Sequence, residues 1–282
     1  MIQPKISVVT VCYNAVNDIE KTILSVINQT YPNVEYLIID GGSTDGTMDV
    51  VNRYKDKIDV IVSEPDKGIY DAMNKGIVRA TGEWINFMNA GDCYCNNDIV
   101  SLLVSKLSED ICILRGNIIR LYDNIKVKSC GVTVQQPRLM DMFDNTFHHQ
   151  ACLIKKVLFD EIGLYSTDYK LCSDWKFFFD AVVLHGVSSR YVDIEVAHFK
   201  MDGASSTGVL DYAREKNDYL MRIYGQEMFG YLEELSIYRK SKIITKYFRM
   251  RKRLLNNLSP KYFNKLLMVK RILWSLSKQK VN

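Results

Sequence analysis

Proline is scarce in this sequence, five among 282 residues, and no low-complexity tract or internal repeat interrupts it. Collagen-like, Pro-rich and solenoid architectures are thereby excluded. Seven cysteines (Cys12, Cys93, Cys95, Cys112, Cys130, Cys152 and Cys172) are scattered without a C-x-x-C pair, which argues against a zinc knuckle or a disulfide framework. Reduced, mostly buried thiols are expected. Nowhere do about 18 apolar residues run uninterrupted, and Gln3, Pro4 and Lys5 precede a short apolar strand instead of a signal-peptide core. A cytoplasmic protein without a membrane span is the expectation. Two phosphate loops are also missing. Thr47 follows Gly46 where a Walker loop needs Lys, and G-x-G-x-x-G does not occur, so ATPase and dehydrogenase readings drop out.

Acidic residues are absent from one end. Residues 238–282 hold 14 of the 37 Lys and Arg and none of the 33 Asp and Glu, leaving residues 1–237 with a net charge of −10. Such asymmetry points to a basic tail with an anionic partner.

What is present is an alternation of strand and helix. Ile6–Cys12 is a continuous apolar, β-branched run, as a strand buried on both faces would be. Residues 17–29 follow as a helix, with Asn17 as cap, Glu20 three residues on, and Ile19, Ile23, Val26 and Ile27 on one face. The same reading gives strands at 34–40, 58–63 and 84–88 and helices at 45–54 and 68–80. This α/β alternation means a mostly parallel sheet with right-handed crossovers. Ligands bind such sheets beyond the carboxyl ends of the strands, where the sequence places Tyr13-Asn14, Asp40, Glu64 to Lys67 and Asn89 to Asp92. Past Asp98 the alternation weakens. Residues 111–115, 125–130 and 151–154 read as strands and 173–185 as a helix with Trp175, Phe178, Phe179, Val182 and Val183 on its apolar face. The sequence divides at 98 into a nucleotide-binding half and an acceptor half running to 207, followed by a helical extension over 208–282.

The segments S-V-V-T-V-C-Y-N, S-V-I-N-Q-T-Y, Y-L-I-I-D-G-G-S-T-D-G-T, D-K-G-I-Y-D-A-M-N-K-G and G-E-W-I-N-F-M-N-A-G-D, in this order over residues 6–92, resemble family 2 glycosyltransferases of the GT-A fold. H-H-Q at 148–150 and Y-K-L-C-S-D-W at 169–175 resemble the acceptor-side motifs of the branch that builds capsular, exopolysaccharide and lipopolysaccharide sugars. The resemblance spans about residues 5–207 and implies inverting transfer of a single sugar from a nucleotide-sugar donor, a UDP-sugar by family preference, to a glycan or lipid-linked acceptor. Processive synthesis is not implied, because the Gln-x-x-Arg-Trp signature is missing.

Residue by residue, the resemblance implies that Tyr13 and the backbone of Val11 and Cys12 cradle the nucleobase, that Asp40 accepts from base or ribose, and that Asp66 and Lys67 lie near base and diphosphate. Asn74 lies one turn along the helix that follows. From spacing alone Asp40 reads equally as a turn and helix cap, and Asp66 and Lys67 as a surface turn. Where family members carry a D-x-D cluster, Asn89 and Gly91 occupy the usual acidic positions and Asp92 remains. One carboxylate with substrate phosphates still holds Mg²⁺ or Mn²⁺, so a divalent cation is expected at Asp92, a turn cap being the bland alternative. Asp174 is the expected general base of a single displacement, although a carboxylate at a helix start also caps it. His149 and Gln150 read equally as contacts to a donor or acceptor sugar and as packed structure.

Two other readings compete. A sugar nucleotidyltransferase would need a glycine-rich basic loop that Cys12–Val16 does not supply, and a degenerate membrane-attached binding protein would not need Asp40, Asp92 and Asp174 together. In the tail, residues 236–258 and a second segment from Ser259-Pro260 interleave apolar and basic residues at helical spacing. They suit an anionic membrane surface, giving a peripheral protein at the inner membrane face, with docking on protein or a second subunit of a homo-oligomer as the alternative. No base-recognition motif accompanies them, so nucleic acid is not expected.

Overall fold

The computed structural model describes residues 3–122, 125–200 and 209–241. Strand β1 (Ile6–Cys12) is buried along its whole length, because its run of β-branched residues has no polar face to turn outward. It pairs in parallel with β2 (Val34–Asp40) on one side and β4 (Trp84–Phe87) on the other, and β2 pairs in parallel with β3 (Val60–Ser63). Between them lie α1 (Ile19–Ile27), α2 (Thr47–Asn52) and α3 (Ile69–Arg79). The expected parallel βα alternation is therefore found over residues 6–87.

Beyond β4 the sheet becomes mixed. β5 (Cys93–Tyr94), α4 (Ile99–Val104), β6 (Ile113–Leu121), β7 (Lys126–Ser129), α5 (Leu139–Asp144), β8 (Cys152–Lys155), α6 (Val157–Glu161), α7 (Ser173–Phe179) and β9 (Ser189–Lys200) follow in order. The strand order is β3-β2-β1-β4-β8-β6-β9-β5, with β7 paired to β6. β8 runs antiparallel to both β4 and β6, while β6 and β9 are parallel. Strand β8 thereby carries the His149 turn alongside the carboxyl end of β4.

Helix α1 packs Ile19, Ile23 and Val26 on the core beside Ile6, Val8 and Trp84, each such side chain contributing about 1.5–3 kcal/mol when fully buried. Its start differs from expectation. Asp18 is the N-cap residue and makes no side-chain cap bond, and Glu20 accepts from Arg53 and the Tyr54 hydroxyl at 3.0 and 2.7 Å. A tertiary ion pair has displaced the capping box. On the opposite face α3 crosses β1 so closely that a Cβ at Gly76 would lie 2.4 Å from Val9 Cγ1, a contact only glycine permits.

Helix α8 (Val209–Lys240) is broken at Gly225, whose φ is 77°. The chain divides there into two compact units, Met1–Gly225 and Gln226–Asn282, so the first unit runs past the boundary expected at 207 and takes in the opening turns of α8. The amphipathic segments expected over 236–282 lie outside the described residues except for 236–241.

At the amino-terminal edge of the sheet, Glu35 is buried and accepts from Ser7 Oγ (2.5 Å), Thr81 N (2.8 Å), Thr81 Oγ1 (2.5 Å) and Lys5 Nζ (3.0 Å). Burial opposes its charge, but these donors outweigh it and bring the carboxyl down to about 2. A depressed folded pKa stabilises the protein fully above the unfolded value of 4.5, and that stability is lost as pH falls toward 2. Glu35→Gln is expected to lower Tm at pH 7 by roughly 3–6 °C, from the worth of charged hydrogen bonds, with a smaller deficit at pH 3. An equal deficit at both pH values in scanning calorimetry would refute this.

Candidate active site

The loops after β1 and β2 are tied into one rim. Asn14, in the left-handed region at φ 46°, donates its N–H to Ser43 Oγ (2.8 Å) and accepts from Thr44 N (3.0 Å) through its side chain. Asp45 holds the other side, accepting from Val16 N and Thr47 N at 3.0 and 2.9 Å. Beneath this rim Asp40 is fully buried. Its carboxylate accepts from Gly42 N (3.1 Å), Ser43 N (3.0 Å), Ser63 Oγ (2.7 Å), the Ser43 hydroxyl and, weakly, the Cys12 thiol at 3.6 Å. Burial works against its charge, and the serine and backbone donors overcome it, holding the carboxyl below its ordinary range. Asp40 thus orders the turn that follows it, while the N-cap of α2 is Gly46, which makes no side-chain cap bond.

Tyr13 stands at the mouth, 65% exposed. A Cβ added at Gly41 would collide with Asp66 Oδ2 and meet Tyr13 Cδ2 at 3.3 Å, so Asp66 and Tyr13 both crowd the space beside Gly41. Asp66 also accepts from Gly68 N at 2.8 Å, and Lys67 is exposed beside it. The carbonyls of Cys12 and Val11 accept from Gly41 N and Ala90 N at 2.9 and 3.0 Å, which joins the β2 and β4 ends to β1. Tyr13, Asp66 and Lys67 therefore share one rim. Asn74 points elsewhere in its bonding: its amide donates to Tyr165 O (2.8 Å) and accepts from Tyr165 N (3.0 Å), clamping α3 to the segment before α7.

A second group assembles across the β4–β8 boundary. Asn89 Nδ2 lies 3.3 Å from His149 Nε2. His149 Nδ1 lies 3.0 Å from Asp174 Oδ2, and the Tyr70 hydroxyl donates to Asp174 Oδ1 at 2.9 Å. Residues from α3, the β4–β5 turn, the His149–Ala151 turn and α7 thus form one chain of contacts. Burial raises the Asp174 carboxyl, and His149, Tyr70 and the Trp175 backbone more than reverse this, leaving it below its ordinary value. The charged form is the resting form. Asp92 behaves differently: it is 6% exposed, and burial pushes its carboxyl up to about 7 against the pull of His149 and Gln150. Gln150 is buried too, its carbonyl accepting from Asn86 Nδ2 at 3.0 Å. Burial pushes neighbouring His148 down to about 3, so it is neutral.

The β4–β5 turn is set by Thr22 of α1, which donates to Asp92 O (2.7 Å) and accepts from Gly91 N (3.1 Å). Asn89 Oδ1 is buried without a partner. No three His, Cys, Asp or Glu side chains converge as a metal cage among the described residues. A buried carboxylate and an orphaned amide oxygen on one turn are hard donors that fit a divalent cation held chiefly by a ligand's phosphates. Tyr70, within the segment D-K-G-I-Y-D, has no role that the sequence alone assigns. Nothing in its spacing announces a partner 104 residues away.

Residues 7–130 match the family model for glycosyl transferase family 2. The chain is 28% identical over 216 residues to a PGL/p-HBAD biosynthesis glycosyltransferase of Mycobacterium tuberculosis, covering 75% of this chain and 82% of that protein. It is 25% identical over 253 residues to an uncharacterized glycosyltransferase of Haemophilus influenzae, 83% of this chain and 76% of that one. Among solved structures it is similar to residues 1–349 of Staphylococcus aureus TarS in complex with UDP, with a TM-score of 0.60 at 17% identity, covering 78% and 74% of the two chains. It is also similar to the mannosyltransferase PcManGT of Pyrobaculum calidifontis in complex with GDP-Man and Mn²⁺, with a TM-score of 0.65 at 16% identity, covering 96% and 81%. The mixed sheet with flanking helices is the GT-A fold.

Proposed function

Since residues 7–130 carry a glycosyl transferase family 2 domain and the chain is a glycosyltransferase, we propose that it transfers one sugar, with inversion, from a nucleotide-sugar donor to a glycan or lipid-linked acceptor in cell-surface polysaccharide biosynthesis. The observation that carries this is the Tyr70–Asp174–His149–Asn89 chain of contacts, which brings a charged, oriented carboxylate beside the β4–β5 turn. TarS and PcManGT structures hold UDP, UDP-GlcNAc and GDP-Man, which supports a nucleoside diphosphate as leaving group. A UDP-sugar is the donor proposed first.

In this reading Tyr13 stacks on the base, Asp66 and the loop shaped by Asp40 face base and ribose, and Lys67 neighbours the diphosphate. Asp174 accepts the proton of the attacking acceptor hydroxyl. The new bond forms at the anomeric carbon as its bond to the phosphate oxygen breaks, and the nucleoside diphosphate leaves with the bonding pair. No enzyme nucleophile is needed. Tyr70 and His149 keep Asp174 ionised and aimed, and Gln150 supports Asp92. Asp92 and Asn89 Oδ1 would hold a Mg²⁺ or Mn²⁺ ion, which when bound offsets charge on the diphosphate.

The basic stretch over 238–282 is proposed to hold the protein at an anionic membrane surface, where a lipid-linked acceptor resides. No helix among the described residues is long and apolar enough to cross a membrane. One assay tests both parts. The full chain, supplied with UDP-GlcNAc or GDP-mannose and Mn²⁺, is expected to release nucleotide and to co-sediment with anionic vesicles in a salt-sensitive manner. Pyrophosphate exchange in place of nucleotide release would favour a nucleotidyltransferase, and vesicle binding that survives removal of residues 242–282 would sink the membrane role of the tail.

A further inference from the structure

Asp174 sits in the first turn of α7, a helix of seven residues, and a helix that short has little stability of its own. What holds it comes from α8, far outside the family-matched residues. Glu215 Oε1 accepts from Lys170 N at 2.9 Å, and Oε2 accepts from Leu171 N at 2.9 Å and Cys172 N at 3.2 Å. Three successive N–H groups immediately before α7 converge on one carboxylate, as in a backbone anion nest whose anion is a side chain of the same protein.

The same face of α8 continues the grip. Lys216 donates to Phe143 O at 2.6 Å and lies 4.8 Å from the centre of the Trp175 ring. Tyr219 donates to Asp180, packs edge-on against Trp175 and Phe179 at 6.0 and 6.2 Å, and lies 4.9 Å from the Lys176 ammonium. Leu220 is fully buried. Residues 215, 216, 219 and 220 recur at helical spacing, so one stripe of α8 touches α7 at its entry, its middle and its end. Apolar and aromatic contacts along that stripe account for adhesion. Glu215 does something the others do not, because it fixes the backbone direction two residues before Asp174.

We propose that Glu215 is a positioning residue of the active site: by collecting the N–H groups of 170–172 it sets the entry angle of α7 and so holds the Asp174 carboxylate against His149 and Tyr70. The proposal rests on the reading of Asp174 as the base. Misplacing a reacting group by about 1 Å costs up to 10²-fold in rate, so a loosened entry turn shows in turnover before it shows in donor affinity.

The test compares Glu215→Gln, Asp174→Asn and the double variant in the full chain. The probe is nucleotide release from whichever of UDP-GlcNAc and GDP-mannose the wild type turns over, with amide hydrogen exchange measured over 165–180. Glu215→Gln is expected to lower kcat by about tenfold, as misalignment of this size does, to leave donor Kd within twofold, and to lose amide protection at 170–172. In the Asp174→Asn background it is expected to add nothing, since coupled residues are not additive. Glu215→Asp, which keeps the charge, should recover part of the loss and serves if the Gln variant does not fold. Unchanged exchange at 170–172, or a kcat loss that multiplies with that of Asp174→Asn, overturns the proposal. So does an inactive Asp174→Asn beside a fully active Glu215→Gln. If Asp174→Asn keeps full turnover, the base assignment itself falls and takes this proposal with it. That case is told apart because Glu215→Gln still loses its amide protection.

Discussion

Asp174→Asn is expected to lower sugar transfer by roughly 10²–10⁴, the scale of a lost general base, while nucleotide binding stays close to wild type. The substitution keeps shape and removes only basicity. An amide oxygen still accepts from the Tyr70 hydroxyl, now 2.9 Å from Oδ1, and His149 can take the other tautomer so that Nδ1 accepts from the new NH₂. The residues proposed to bind the donor, Tyr13, Asp66 and Lys67, lie on the β1–β3 rim, on other elements, so calorimetric Kd for the nucleotide should hold. Because His149 and Tyr70 keep the carboxyl below its ordinary range, the wild-type Asp174 is ionised at neutral pH. An acid limb of kcat near pH 6 would therefore belong to another group. Donor affinity falling in step with turnover would place Asp174 in the donor site instead, and unchanged transfer would remove it from the chemistry.

How much of this site could be read in the sequence depended on whether the informative contact was local. Strand β1 announces itself because burial on both faces forces a near-continuous apolar run, and β2 by the apolar stretch Tyr36–Ile39 between Glu35 and Asp40. The first four strands thus came out within about two residues at each end, the usual boundary error. In the second half, β9 spans twelve residues of uneven burial and pairs in parallel with β6 through register shifts, and β5 has two residues. Neither carries a period strong enough to recognise. The helix expected over 173–185 stops at Phe179 and continues as a π turn to Leu184, where Asp180 is held by Lys176 and Tyr219. That irregularity has a tertiary cause. The same holds at the site: His149 and Asp174 could be picked out as residue types, but their pairing, the Tyr70 contact and the Glu215 brace join positions 25 to 104 residues apart. Asn74 shows the converse, a polar residue inside a recognisable motif whose amide bonds to the Tyr165 backbone.

Removing the proposed cation, or the Asp92 carboxylate proposed to hold it, is expected to have the other large effect. Asp92→Ala is expected to weaken donor binding and turnover together by roughly 10²-fold, the ~3 kcal/mol a Lewis acid contributes to charge developing on a leaving diphosphate. Wild type in excess chelator should show the same loss. The β4–β5 turn is built to present few but hard donors. Thr22 fixes its backbone at Gly91 N and Asp92 O, Gly91 at φ 101° gives the sharp reversal, Asn89 Oδ1 is left buried without a partner, and His149 and Gln150 act on the Asp92 carboxylate. With one carboxylate in place of the two or three of a dedicated cage, binding depends on the phosphates of the donor. The metal should therefore bind weakly without nucleotide and tightly with it, and added Mn²⁺ should raise nucleotide affinity by the same factor that nucleotide raises Mn²⁺ affinity. Asp92→Asn separates charge from shape: it keeps an oxygen donor and the packing of the turn, so a loss as deep as that of Asp92→Ala assigns the effect to the missing charge. Full turnover in excess chelator would take the cation out of the mechanism. Donor binding that survives Asp92→Ala while turnover collapses would move Asp92 from holding the diphosphate to acting on the acceptor side.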